Sequence, residues 1–169
     1  NTDIQLKVEL QKIKTHEIIT SSQNEPIVHK EDEYNWFYIL NVPGGTDCYF
    51  NKNLPIDIEV WEDELKTNAN AIKLNEQIQK NLEIGYVWTF RRSVGQPSII
   101  ALTYGLLAYS LAKLTNGIIY TDDGAWDYDK FPVKPDDFIN WYFRPEYATK
   151  QDDKDFALKS ISLIHDELK

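Results

Sequence analysis

Carboxylates crowd two short stretches of this sequence, each with a tryptophan inside it. In the first, Asp57, Glu59, Glu62, Asp63 and Glu64 surround Trp61, and no base follows until Lys66. In the second, Asp122-Asp123-Gly124-Ala125-Trp126-Asp127-Tyr128-Asp129, carboxylates interleave with two aromatics. Three chemistries use such groups. Hard cations bind clustered carboxylate oxygens, although the second stretch lacks the order and distal Glu of a calcium-binding hand. Two carboxylates at a set separation serve as acid and base in glycoside hydrolysis, and nothing in the spacing sets that separation. Aromatic anchors rimmed by acid suit recognition of a basic protein. The plainest use is none of these. An Asp-rich turn is well solvated, and an acidic strand edge deters sheet-to-sheet aggregation.

Other reactive residue types are sparse. The seven glycines form neither G-x-G-x-x-G nor G-x-x-x-x-G-K, so phosphate binding through such loops is unsupported. His16, His29 and His165 lie in remote segments that read as exposed, and no G-x-S-x-G or H-E-x-x-H is present. Cys48 reads as an ordinary, partly buried thiol. Arg91-Arg92 is the basic pair that ends a strand, and one of the two reads as paired with an internal carboxylate.

The whole composition narrows the class. The chain has 169 residues, 27 acidic against 18 basic, for a net charge of −9. That balance argues against non-specific nucleic-acid binding, which needs cations to displace counterions. It argues equally against anionic membrane surfaces. Hydrophobic residues at 42% and charged residues at 27% are ordinary for a globular domain. One cysteine forbids an intrachain disulfide and argues against a cysteine-based zinc site. The expectation is a cytoplasmic protein without a cofactor, and no basic-then-apolar targeting segment opens the sequence.

The elements that must position the carboxylates follow from periodicity. Ile4, Leu6, Val8 and Leu10 alternate with polar residues as in a half-buried strand. Residues 20–33 read as an exposed loop around a short edge strand, and residues 36–42 as a strand ended by Pro43-Gly44-Gly45. Ile56, Ile58 and Val60 alternate with Asp57, Glu59 and Trp61, which predicts a strand with one acidic face. Ala71, Leu74, Ile78 and Leu82 make a helical stripe stopped by Gly85. Residues 86–94 are nearly continuous in apolar surface, as in a central strand.

Gln96-Pro97-Ser98 opens a helix to Thr115 that is apolar on most sides, and Asn116-Gly117 closes it. Its length reads as too short for a membrane span. A short strand at 118–120, an Asp-Gly turn at 122–124, a helix from Pro135 to Phe143 and a last helix with Ala157, Ile161, Ile164 and Leu168 inward complete the chain. The sum is one domain over residues 1–169 of α+β class. A largely antiparallel sheet packs against a long buried helix, with peripheral helices around it.

The run V-W-T-F-R-R-S-V-G-Q-P-S, the apolar helix, then T-N-G-I-I-Y-T-D-D-G-A-W-D-Y, F-P and W-Y-F-R-P-E resembles small bacterial immunity proteins of polymorphic toxin systems, over about residues 85–146. These accompany toxins delivered by contact-dependent inhibition or type VI secretion. The resemblance implies a protein without catalytic activity that binds and blocks a cognate toxin. It transfers no binding residues. Joined to the acid surplus, it leads to an expected partner: a cognate, basic toxin domain of nuclease type, with which an acidic surface would associate fast. The expected contacts are Asp57, Glu59, Trp61, Glu62, Asp63, Glu64, Asp122, Asp123, Trp126, Asp127, Tyr128 and Asp129, on a monomer or weak dimer. A carboxylate- or metal-dependent hydrolase built on Asp122–Asp129 and a non-enzymatic scaffold module stay open as alternatives.

Overall fold

The structure is a computed structural model and describes residues 4–20, 29–91, 93–121 and 127–167. Five strands form an antiparallel sheet: β1 (Leu6–Lys12), β2 (Ile18–Thr20), β3 (Glu33–Ile39), β4 (Thr46–Lys52) and β5 (Tyr86–Arg91), in the order β2-β1-β3-β4-β5. Six helices accompany it: α1 (Pro55–Thr67), α2 (Ala69–Lys73), α3 (Asn75–Ile84), α4 (Ser98–Thr115), α5 (Pro135–Trp141) and α6 (Gln151–Glu167). The α+β class expected from the sequence is the class observed. The chain divides into two compact units. One comprises residues 1–51, 87–104 and 160–169, and the other 52–86 and 105–159.

In the first unit the pleat sorts residues into two faces. Leu10 pairs with Asn35, and Asn35 with Cys48, so these three share one buried row. Ile39 on the same face joins Ile99 and Ile100 of α4, with Val42, Leu102 and Ile164 packed around them. Each fully buried isoleucine contributes about 1.5–3 kcal/mol of transfer free energy. The start of α4 is fixed from far along the chain. The Glu167 carboxylate accepts the backbone N–H groups of Ser98 and Ile99 at 2.8 and 2.9 Å. Those N–H groups have no helical acceptor, and the helix dipole favours an anion there. At the other end Asn116 takes the left-handed conformation (φ 54°), and the Gly117 N–H donates to the Ala112 carbonyl at 2.8 Å.

Several expectations need correction. Residues 56–61 are helix, not strand. Pro55 stands in the first turn of α1, where no N–H is needed, and the Asp57 carboxylate accepts the Leu54 N–H at 2.7 Å. The aliphatic alternation carried no burial signal, because Ile56, Ile58 and Val60 are all exposed. The stripe over 71–82 is two helices, broken at Leu74, with Ala71 and Ile78 its buried members. Gly85 does cap α3, at φ 80°. β5 lies at the sheet edge, not its centre, and its apolar run is half-buried at most. β4 carries Cys48, in a stretch to which periodicity assigned no element. Residues 118–120 make only the Ile119–Val133 bridge.

On β1 Leu10 is buried while Ile4 and Leu6 are exposed, although Leu6 still pairs with Ile39 of β3. On α6 the inward set is Ala157, Ser160 and Ile164; Ile161 is exposed, and Leu168 lies outside the described residues. The length argument against a membrane span also fails. α4 has 18 residues and is long and apolar enough to cross a membrane by length and composition, the lower limit being about 17.

Candidate protein-binding surface

Both acidic stretches fall in the second unit. As a helix, α1 turns its residues by about 100° each, so Asp57, Trp61, Glu64 and Asn68 share one side. All four are half-buried. The Trp61 ring packs on Tyr120 with centroids 5.0 Å apart, and the Tyr120 hydroxyl donates to Glu64 at 3.1 Å. Asn68 ends α1 and starts α2. Its Oδ1 accepts the N–H groups of Asn70 and Ala71 at 2.8 and 3.3 Å. Its Nδ2 donates to Glu64 at 2.7 Å and to the Phe131 carbonyl at 3.0 Å. Asn70 Nδ2 donates to the Asp129 carbonyl at 3.0 Å. Two asparagines thus tie the first acidic stretch to the end of the second.

The opposite side of α1 carries Glu59, Glu62 and Asp63, all exposed. Asp63 pairs with Lys66 at 2.9 Å. An ion pair this exposed is worth little, so it neutralises without anchoring. Asp57, Glu59 and Trp61 therefore do not form the single strand face expected. Glu59 points to solvent, while Asp57 and Trp61 lie on the inner side.

The second stretch divides differently. Asp129 is exposed and pairs with Lys150 at 2.8 Å. Asp127 is not a surface contact at all, being 1% exposed. Its carboxylate accepts the Thr149 N–H at 3.0 Å, the Thr149 hydroxyl, and Lys130 Nζ at 3.0 Å. The Lys130 ammonium also lies 4.8 Å from the Trp141 ring centre. Burial opposes ionisation of Asp127, yet the hydrogen bonds from Thr149 and Lys130 outweigh it and hold the carboxyl below its usual value. Asp122, Asp123 and Trp126, with the Gly124 turn, lie outside the described residues, as does the side chain of Tyr128. A hydrolase reading that drew on Asp127 loses it to this network. Among the described residues no three His, Cys, Asp or Glu side chains are grouped to hold a metal ion.

A second polar cluster, with Gln11 and Tyr34 buried, lies in the first unit. Gln11 pairs with Tyr34 and Trp36 with Asp47, which puts these four on the sheet face opposite the Leu10 row. The Tyr34 hydroxyl donates to Gln11 at 2.6 Å and lies 3.0 Å from His16 Nδ1. Tyr34 stacks on Tyr49 at 5.4 Å, and the Arg91 guanidinium sits 5.5 Å from the Tyr49 ring centre. Arg91 is exposed and is not the buried ion-pair partner expected; Arg92 lies outside the described residues. Burial raises the Asp47 carboxyl, with Arg91 and His16 opposing. The alternation of Tyr34, Trp36 and Tyr38 was the available signal for this face.

His29 is half-buried rather than exposed. It packs against Phe50 and Trp88 with centroids 5.7 and 5.3 Å away. Cys48 is buried, and burial pushes its thiol up to about 12, far from nucleophilic. No family model, curated protein or solved structure matches this chain.

Proposed function

We propose that this protein is a bacterial immunity protein, which binds a cognate secreted toxin in the cytoplasm and neutralises it without catalysis of its own. The toxin it fits is basic and of nuclease type. The observation that carries this reading is the outer side of α1, where Glu59, Glu62 and Asp63 stand in solvent opposed by Lys66 alone within that helix. Like charges so close repel one another. Against a cationic surface the same arrangement is complementary, speeds encounter and discourages acidic competitors. An enzyme that acts on nucleic acid needs cations for the phosphates, so an acidic inhibitor suits it as a class. Behind the carboxylates, the Trp61–Tyr120 contact and the Asn68 bonds hold α1 in place, which reduces the ordering entropy lost on binding. The resemblance of residues 85–146 to immunity proteins supplies the class. No cofactor enters this function, and the inhibitor acts as a monomer or weak dimer.

The test is co-purification with the product of the neighbouring reading frame, carried as a catalytically disabled toxin domain. A stable complex whose association rate falls steeply with salt is expected. No complex with that product at low salt, together with no protection of cells that express the active toxin, would overturn the proposal.

A further inference from the structure

Charge is only half of what α1 presents. None of its 13 residues is buried, and Ile56 and Val60 are 57% and 41% exposed. A surface helix ordinarily turns its aliphatic stripe inward. Here Trp61 and Leu65 take the inner side, and Ile56 and Val60, four residues apart, make an apolar row on the outside. Glu59 and Asp63 lie three residues beyond each of them and form a parallel acidic row. Leu54, at the helix start, is exposed as well. The Asn53 N–H donates to the Gly85 carbonyl at 2.9 Å, and the residues beside Gly85, Ile84 and Tyr86, are exposed too.

We infer that this double row is the contact surface for a cationic amphipathic helix of the toxin, its apolar residues seated on Ile56 and Val60 and its lysines or arginines against Glu59 and Asp63. The inference rests on the toxin-binding reading and names the segment that the inhibitor grips. Charge selects this occupant. A second copy of α1 would set carboxylate against carboxylate, and a nucleic acid or anionic lipid would be repelled in the same way. The aliphatic row requires apolar side chains from the partner, which a purely basic tail lacks.

The probe is a 16-residue helical peptide with leucines every three to four positions and lysines along both flanks. A control peptide carries glutamates in place of the lysines. Amide chemical shifts of the full chain are followed during titration. Shifts centred on α1 with the lysine peptide, and none with the glutamate peptide, are expected. The double variant Glu59→Lys/Asp63→Lys then weakens binding at least about tenfold at low salt. The double variant Ile56→Ser/Val60→Ser weakens it by a similar factor while keeping the salt dependence. All four positions are exposed, and far-ultraviolet circular dichroism checks that the variants remain folded. Shifts centred elsewhere, or equal binding of the glutamate peptide, overturn the inference. The same variants are carried into the co-purification. A toxin held equally by wild type and both double variants removes α1 and leaves the inhibitor intact. A toxin that wild type does not hold removes the inhibitor, and the peptide result then decides the surface alone.

Discussion

Asp127 and Thr149, 22 residues apart, are joined twice: one carboxylate oxygen accepts both the backbone N–H and the side-chain hydroxyl of Thr149. The other oxygen accepts from Lys130. One buried carboxylate therefore closes the loop from 127 to 149, and it does so with left-handed backbone at φ 50°. Asp127→Ala is expected to lower stability by about 3 kcal/mol, because Lys130 and Thr149 lose their shared partner. Asp129→Ala, which removes only an exposed pair, is expected to cost less than about 1 kcal/mol. Urea unfolding of the two variants checks the contrast. The sign with pH follows from the direction of the shift. The folded carboxyl lies below its ordinary value of 3.8, so its contribution is present above that value and is lost as pH falls through the lower folded one. Asp127→Ala is expected to flatten the acid limb of stability below about pH 4.

His29 titrates in the other sense. Burial lowers it from the ordinary 6.5, although the nearby Glu33 carboxylate pulls it upward. Above 6.5 neither state is protonated, and stability is full. As pH falls through 6.5 the unfolded chain takes the proton first, and stability declines until the lowered folded value is passed. His29→Phe keeps an aromatic beside Phe50 and Trp88 and is expected to remove this decline. Unfolding midpoints of the two proteins, compared from pH 7 to pH 5, test it. Equal slopes would assign the titration to another group.

At Gly105 α4 passes close against an aromatic side chain. A Cβ there would lie 2.2 Å from Tyr142 Cζ and 2.3 Å from its hydroxyl. Tyr142 cannot readily give way, since it stacks on Phe138 at 4.5 Å and meets Phe143 edge-on at 5.2 Å. Gly105→Ala gains about 1 kcal/mol in helix propensity. The overlap is expected to reverse that gain and leave a net loss of about 1–3 kcal/mol, read from thermal or urea unfolding. A Gly105→Ala variant more stable than wild type would show that the ring moves at little cost.

Asn68 does two jobs with one side chain. It caps α2 and bonds to the Phe131 carbonyl. Loss of such a cap costs about 1 kcal/mol, and the lost bond to the Phe131 carbonyl, which keeps only the 3.3 Å bond from Asn70, adds up to about as much again. Asn68→Ala is expected to lose about 2 kcal/mol, while Asn68→Ser, which restores the cap alone, recovers about half. Comparable losses in both variants would assign the whole effect to the Phe131 contact.

What the sequence made legible depended on whether burial and period agreed. α4 was bounded within a residue or two, because Pro97 and Asn116-Gly117 punctuate an apolar run that no other element could hold. Gly85 announced its cap in the same way. α1 escaped notice for the opposite reason. Its aliphatic residues are exposed, so their period of two reported nothing about packing, while the helix start was written in Pro55 and Asp57. β5 read as central because Tyr86, Val87, Trp88 and Phe90 are apolar, but an edge strand over aromatic neighbours has the same composition. In the site, the spacing of carboxylates was visible and their separate fates were not. Asp127 turns inward because Thr149 and Lys130 meet it there, and residue spacing holds no record of that encounter.

The Glu167 cap on α4 bears on the order in which this chain can be completed. Ser98 is 69 residues ahead of the carboxylate that satisfies its N–H. A ribosome delivers the chain from its N-terminus at about 5–20 residues per second. The first turn of α4 therefore waits several seconds for a residue 69 positions later to arrive. A truncation that removes Glu167 leaves the nascent state permanent at that turn, whereas an extension beyond it leaves the cap untouched.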